Sequence, residues 1–118
     1  MLIEYASCYG KDMTSLLNSS FDGDALHLHL HAPRFDAAAA REFKVEINNH
    51  WRPEVRRLTI DMGTVDFLDS SGIGALLSTY KRLAVGGAAN VQLLHVKPAV
   101  QSVFELMRMH RIFDIQGA

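Results

Sequence analysis

The sequence predicts an α/β fold: a mixed, mainly parallel β-sheet with helices packed against it. Two observations predict this. Short stretches that alternate apolar and polar residues, the pattern of half-buried strands, take turns with longer stretches whose apolar residues recur every three or four positions, the pattern of amphipathic helices. The resulting order is strand, helix, strand, helix, strand, helix, and strands separated by helices pair in parallel. At 118 residues, with no internal repeat and no low-complexity linker, the chain fits one compact domain.

The start of the chain is the least patterned part. Residues 1–20 read as an extension or a first strand, and 21–118 as the domain itself; the polar cluster Asn18-Ser19-Ser20 leads into Phe21-Asp22-Gly23-Asp24, which reads as a turn. Leu26, Leu28 and Leu30 then alternate with His27, His29 and His31 in a strand that Pro33 ends. Asp36 is placed to cap a helix opened by Ala37 to Ala40, with Ala40, Phe43, Ile47 and Trp51 on one face and Pro53 closing the region. Leu58, Ile60 and Met62 mark a second strand, which runs into a loop from Gly63 to Leu68. After Asp69-Ser70-Ser71-Gly72, a helix carries Ile73, Leu76, Leu77, Tyr80 and Leu83 at helical spacing until Gly86-Gly87 stops it. Val91 to Val96 is a third strand. Pro98 opens a last helix, with Val100, Val103, Phe104 and Met107 as its expected core face, and residues 110–115 add a short strand or turn.

Composition excludes several classes of function. Twelve basic and thirteen acidic residues leave a net charge of −1, without the basic field that draws a protein onto nucleic acid or an anionic membrane. The single cysteine, Cys8, forms no intramolecular disulfide and no CxxC motif, which fits a reducing cytoplasm. No apolar run approaches the roughly 18 residues of a membrane span. Met1-Leu2-Ile3-Glu4-Tyr5 lacks the basic and apolar regions of a signal peptide. The expectation is a cytoplasmic protein with neither direct nucleic-acid binding nor membrane insertion. The sequence carries no signature of a particular oligomeric state.

The segment with chemical content runs from Leu58 to Gly74: strand, apolar loop, then Asp-Ser-Ser-Gly opening a helix. A serine there meets unpaired backbone N–H groups and the positive end of the helix dipole, both favourable to a phosphate. A phosphoryl group adds roughly −1.5 to −2 charges at pH 7. Taken alone, the same residues read more simply as a helix cap.

The wider pattern favours the switch. Arg34-Phe35-Asp36-Ala37, Leu58-Thr59-Ile60-Asp61-Met62 and Phe67-Leu68-Asp69-Ser70-Ser71-Gly72-Ile73-Gly74-Ala75-Leu76 occur in order. Gly86-Gly87, Pro98-Ala99-Val100 and Phe104-Glu105-Leu106 follow. From Asp24 to Ile115 the chain thereby resembles the STAS family (sulfate transporter and anti-sigma factor antagonist), and within it the free-standing bacterial antagonists. The resemblance implies a single STAS-like domain that is not an enzyme and needs no cofactor. It further implies a protein that binds an anti-sigma factor with serine kinase activity and releases it when Ser70 is phosphorylated, a serine phosphatase resetting the cycle. Ser71 is the weaker acceptor. Asp36, Asp69, Ser70, Ser71, Gly72 and Ile73 are the implied partner-binding residues. The alternative is a STAS scaffold subunit of a signalling or lipid-transport assembly with no phosphate cycle. Pro33 stands where the family carries a glycine, which removes a backbone donor and fixes φ.

Other signals are weaker. His27, His29 and His31 share a strand face, but without a cysteine or acidic pair nearby they read as a solvated face, and no metal site is expected. Gly72-Ile73-Gly74 lacks the spacing of a nucleotide loop and reads as close helix packing. A hydrolase built on Ser70 and His95 lacks a nucleophile elbow, so no catalytic residue is expected.

Overall fold

The structure, a computed structural model, describes residues 16–87 and 90–117. The chain order is β1 (Leu17–Asp22), β2 (Ala25–Leu30), β3 (Arg34–Phe35), α1 (Ala37–His50), β4 (Arg57–Asp61), β5 (Phe67–Leu68), α2 (Ser70–Val85), β6 (Asn90–Val96), α3 (Pro98–Leu106), a 3₁₀ turn (Met109–Arg111) and β7 (Asp114–Gly117). Five strands form one sheet in the order β1-β2-β4-β6-β7. β1 is antiparallel to β2, and every other pairing in that sheet is parallel. This is the mixed, mainly parallel sheet that the alternation predicts.

Strand alternation decides which face meets the helices. Leu26, Leu28, Leu30, Leu58, Ile60, Val91 and Leu93 are all buried, while their neighbours His27, Thr59, Asp61 and Gln92 are half-buried or exposed. The buried alternates meet Ala40, Phe43 and Ile47 of α1, Ile73, Leu76 and Leu83 of α2, and Val100 and Phe104 of α3 in one apolar core. Phe104, Phe113 and Tyr80 add edge-to-face ring contacts at 6.1 Å, which lock α3 and the last loop to α2.

Several details differ from the sequence reading. The region read as a turn at residues 21–24 is tighter: β1 runs to Asp22, and Gly23-Asp24 alone link it to β2, with Gly23 at φ +64°. β1 crosses position 20, while residues 1–15 of the expected N-terminal segment lie outside the described residues. Met107, expected in the core, is 47% exposed, because α3 ends at Leu106 and Met107 is its C-cap. Phe67-Leu68, read as loop, is a strand paired in parallel with Arg34-Phe35. That two-residue ribbon positions the site.

Candidate functional site

Both halves of the ribbon follow one plan. β3 comes after β2, β5 comes after β4, and each ends in an aspartate that caps a helix. The ribbon therefore lies beyond the carboxyl ends of parallel strands, where open α/β sheets bind their ligands. Pro33 helps to build it: its carbonyl accepts N–H bonds from Asp66 at 2.8 Å and Phe67 at 3.1 Å. The proline loses its own donor, yet its acceptor ties the loop before β5 to the start of β3.

The two caps match in geometry. Asp36 has extended backbone (φ −100°, ψ −167°) and its Oδ1 accepts from the N–H of Ala39 at 3.2 Å. Asp69 is likewise extended (φ −114°, ψ −174°) and accepts from the N–H of Gly72 at 3.1 Å. Arg34 pairs with Phe67 and Phe35 with Leu68, and Asp36 and Asp69 are the next residues along the two paired strands. Each such cap stabilises its helix by about 1 kcal/mol.

With Asp69 acting as the cap, Ser70 and Ser71 are released from that duty. Both are exposed in the first turn of α2, and neither hydroxyl forms a hydrogen bond among the described residues. Beneath them, Gly72 and Ile73 face inward: Gly72 is buried and Ile73 is 5% exposed. A Cβ on Gly72 would lie 2.4 Å from the Phe35 carbonyl oxygen and 2.7 Å from Leu68 Cδ1. Glycine is thus what lets α2 sit directly on the ribbon. The expected close packing is confined to that position, since a Cβ on Gly74 would meet nothing within 4 Å. Of the six implied partner-binding residues, Ser70 and Ser71 are exposed, Asp36 and Asp69 are half-buried, and Gly72 and Ile73 are buried.

Sequence reasoning missed two residues of this surface. Phe35 and Leu68 point inward and are buried, so alternation turns Arg34 and Phe67 outward. The Phe67 ring is 39% exposed, and the Arg34 guanidinium lies 4.3 Å from its centroid. An exposed cation–π contact of this kind is worth about 0.5–1 kcal/mol. Arg34 Nε is also 3.9 Å from Asp36 Oδ2, and Lys97 pairs with Asp66 at the edge of the same surface.

The histidines lie elsewhere. His27 and His29 face away from the helices, and His31, past the end of β2, stacks on His29 at 4.1 Å and bonds Asn18 at 3.1 Å. Burial and the neighbouring His29 hold the His31 imidazole below its usual pKa, against the pull of Asp61. His95, in a left-handed conformation (φ +57°), bonds Asp61 at 3.1 Å. Burial pushes the Asp61 carboxyl up, but the Gly63 N–H, His95 and His29 together hold it below the usual carboxylate range. Among the described residues, no three or more His, Cys, Asp or Glu side chains are placed to hold a metal ion. His95 is bonded to Asp61, and no hydrogen bond joins it to Ser70 among the described residues. No described helix is long and apolar enough to cross a membrane.

Known proteins share this architecture. The STAS domain family matches residues 18–117. A candidate anti-sigma factor antagonist from Thermotoga maritima superposes with a TM-score of 0.75 at 17% identity, covering 86% of each chain. The anti-sigma factor antagonist SpoIIAA in its unphosphorylated form gives a TM-score of 0.68 at 18% identity, over 84% of this chain and 86% of that one. Phosphorylated SpoIIAA, a Bacillus cell fate determinant, gives 0.63 at 18% identity, over 84% and 89%. At these identities the structures establish the shared fold. The family match spans nearly the whole chain, so the chain belongs to the STAS domain family.

Proposed function

We propose that this chain is an anti-sigma factor antagonist, a binding module without a reaction of its own, and that phosphorylation of Ser70 controls its binding. The observation that carries the reading is an exposed serine with an uncommitted hydroxyl at the first residue of α2, immediately after an aspartate that already caps the helix. The likeness to SpoIIAA, known in unphosphorylated and phosphorylated forms, supports it.

In this reading the unmodified surface around Asp36, Asp69, Ser70 and Ser71 docks onto an anti-sigma factor that is also a serine kinase. The protein works in the bacterial cytoplasm. A phosphoryl group on Ser70 breaks the complex for two physical reasons. A dianion inside a closed interface must be desolvated, and it stands among the carboxylates of Asp36 and Asp69. A serine phosphatase restores the binding form.

The test is to incubate the protein with serine-kinase anti-sigma factors and ATP and to map the phosphate by mass spectrometry. Modification at Ser70 is expected. Absence of modification by every such kinase, with partner binding unchanged in Ser70→Asp, overturns the switch and leaves a STAS scaffold subunit as the better account.

A further inference from the structure

Charge around the serine is one-sided. Across residues 34–36 and 66–71, the ribbon and its two caps, there are three aspartates, Asp36, Asp66 and Asp69, and a single cation, Arg34. Lys97 reaches this surface from outside and is committed to Asp66. Arg34 is held only loosely. Its side chain is 67% exposed and its Nε lies 3.9 Å from Asp36 Oδ2, while its guanidinium rests over the Phe67 ring. Its N–H donors make no hydrogen bond among the described residues.

We propose that Arg34 reads the phosphate: once Ser70 is phosphorylated, the guanidinium turns from the Phe67 ring and the Asp36 carboxylate to the phosphoryl oxygens and uncovers the ring. This deepens the proposed function and rests on phosphorylation of Ser70. The exchange is favourable in direction, because the planar guanidinium fork pairs with two phosphate oxygens at once, whereas the contacts it gives up are weak and solvated. Arg34 extends toward Asp36 and lies over Phe67, and Asp36 and Asp69 follow directly on the paired strands β3 and β5, Asp69 being the residue before Ser70.

The consequence is that modification changes shape as well as charge. A partner that docks on the Arg34–Phe67 pair loses the cation from its place over the ring at the moment the dianion arrives.

The experiment installs phosphoserine at position 70 by codon reassignment, so that no kinase is needed, and titrates it by ³¹P NMR in otherwise native protein and in Arg34→Gln. The second phosphate pKa, ordinarily about 6, is expected to be lower by roughly half a unit or more in the native background than in Arg34→Gln. The Phe67 ring signals are expected to shift on phosphorylation only where Arg34 is present. Amide spectra of unmodified Arg34→Gln check that the fold is kept. Equal pKa values in the two backgrounds, with unmoved Phe67 signals, overturn the role of Arg34. A kinase that modifies Ser70 alongside that result leaves the switch standing and removes only its reader.

Discussion

The chain builds the same capped helix start twice and follows only the second cap with serines. At α1 and at α2 a two-residue strand runs into an extended aspartate whose carboxylate caps the third N–H of the helix. At α1 the next residues are Ala37 and Ala38; at α2 they are Ser70 and Ser71. The third position differs as well, Ala39 at α1 against the buried Gly72 at α2. Capping geometry therefore does not distinguish the proposed switch from a plain helix start. The difference lies in a nucleophilic hydroxyl and in a glycine that presses its helix onto the ribbon.

The largest effect on stability is expected where the two copies differ in packing. Gly72→Ala forces a methyl group into the Phe35 carbonyl and is expected to cost about 3 kcal/mol, the upper part of the range for overpacking. Ala39→Gly at the matching position of α1 is expected to cost about 0.5–1 kcal/mol. Urea denaturation of both variants measures the asymmetry, and equal losses would show that the glycine does not seat α2. Next come the caps. Asp36→Ala and Asp69→Ala are each expected to lose about 1 kcal/mol, and a marked imbalance would break the equivalence of the two copies.

Moving the hydroxyl sharpens the comparison with little change in stability. The double variant Ser70→Ala, Ala37→Ser is expected to stay within about 0.5 kcal/mol of the parent. It is also expected to accept no phosphate at position 37. Phosphate found there would mean that the cap geometry alone guides the kinase.

The smallest expected effects are those of pH. Burial holds the His50 imidazole below its usual pKa, with Glu46 opposing, and its Nδ1 lies 2.6 Å from Ser19 Oγ. The unfolded chain then takes up the proton more readily, so this group's contribution is intact above about pH 6.5 and declines as pH falls toward the folded pKa. His50→Gln is expected to flatten that decline in thermal melts between pH 7 and 5. Asp61, with its folded pKa depressed, acts lower: its contribution is present above about pH 3.9 and is lost as pH falls through the folded value.

Much of the fold was legible because it is periodic. The leucines of β2 and the apolar stripe of α2 announce their elements and their buried faces. The ribbon was not legible, since two residues cannot show a period of two. Arg34 and Phe67 consequently read as part of a turn and part of a loop, and their pairing across 33 positions has no local signal. Asp61 and His95 escaped for a similar reason: only the β4–β6 register and the irregularity around His95 bring them together. Asp36 and Asp69 were legible because capping is local, whereas Ser70 was singled out by the family resemblance; that both caps follow the paired strands comes from the ribbon.

The central claim is that one phosphate on Ser70 controls binding, and affinity tests it most directly. Calorimetric titration of a serine-kinase anti-sigma factor with unmodified protein and with phosphoserine-70 protein is expected to show binding weakened by about 100-fold or more, the scale of desolvating a dianion at a closed interface. Equal affinities for the two forms would contradict the account.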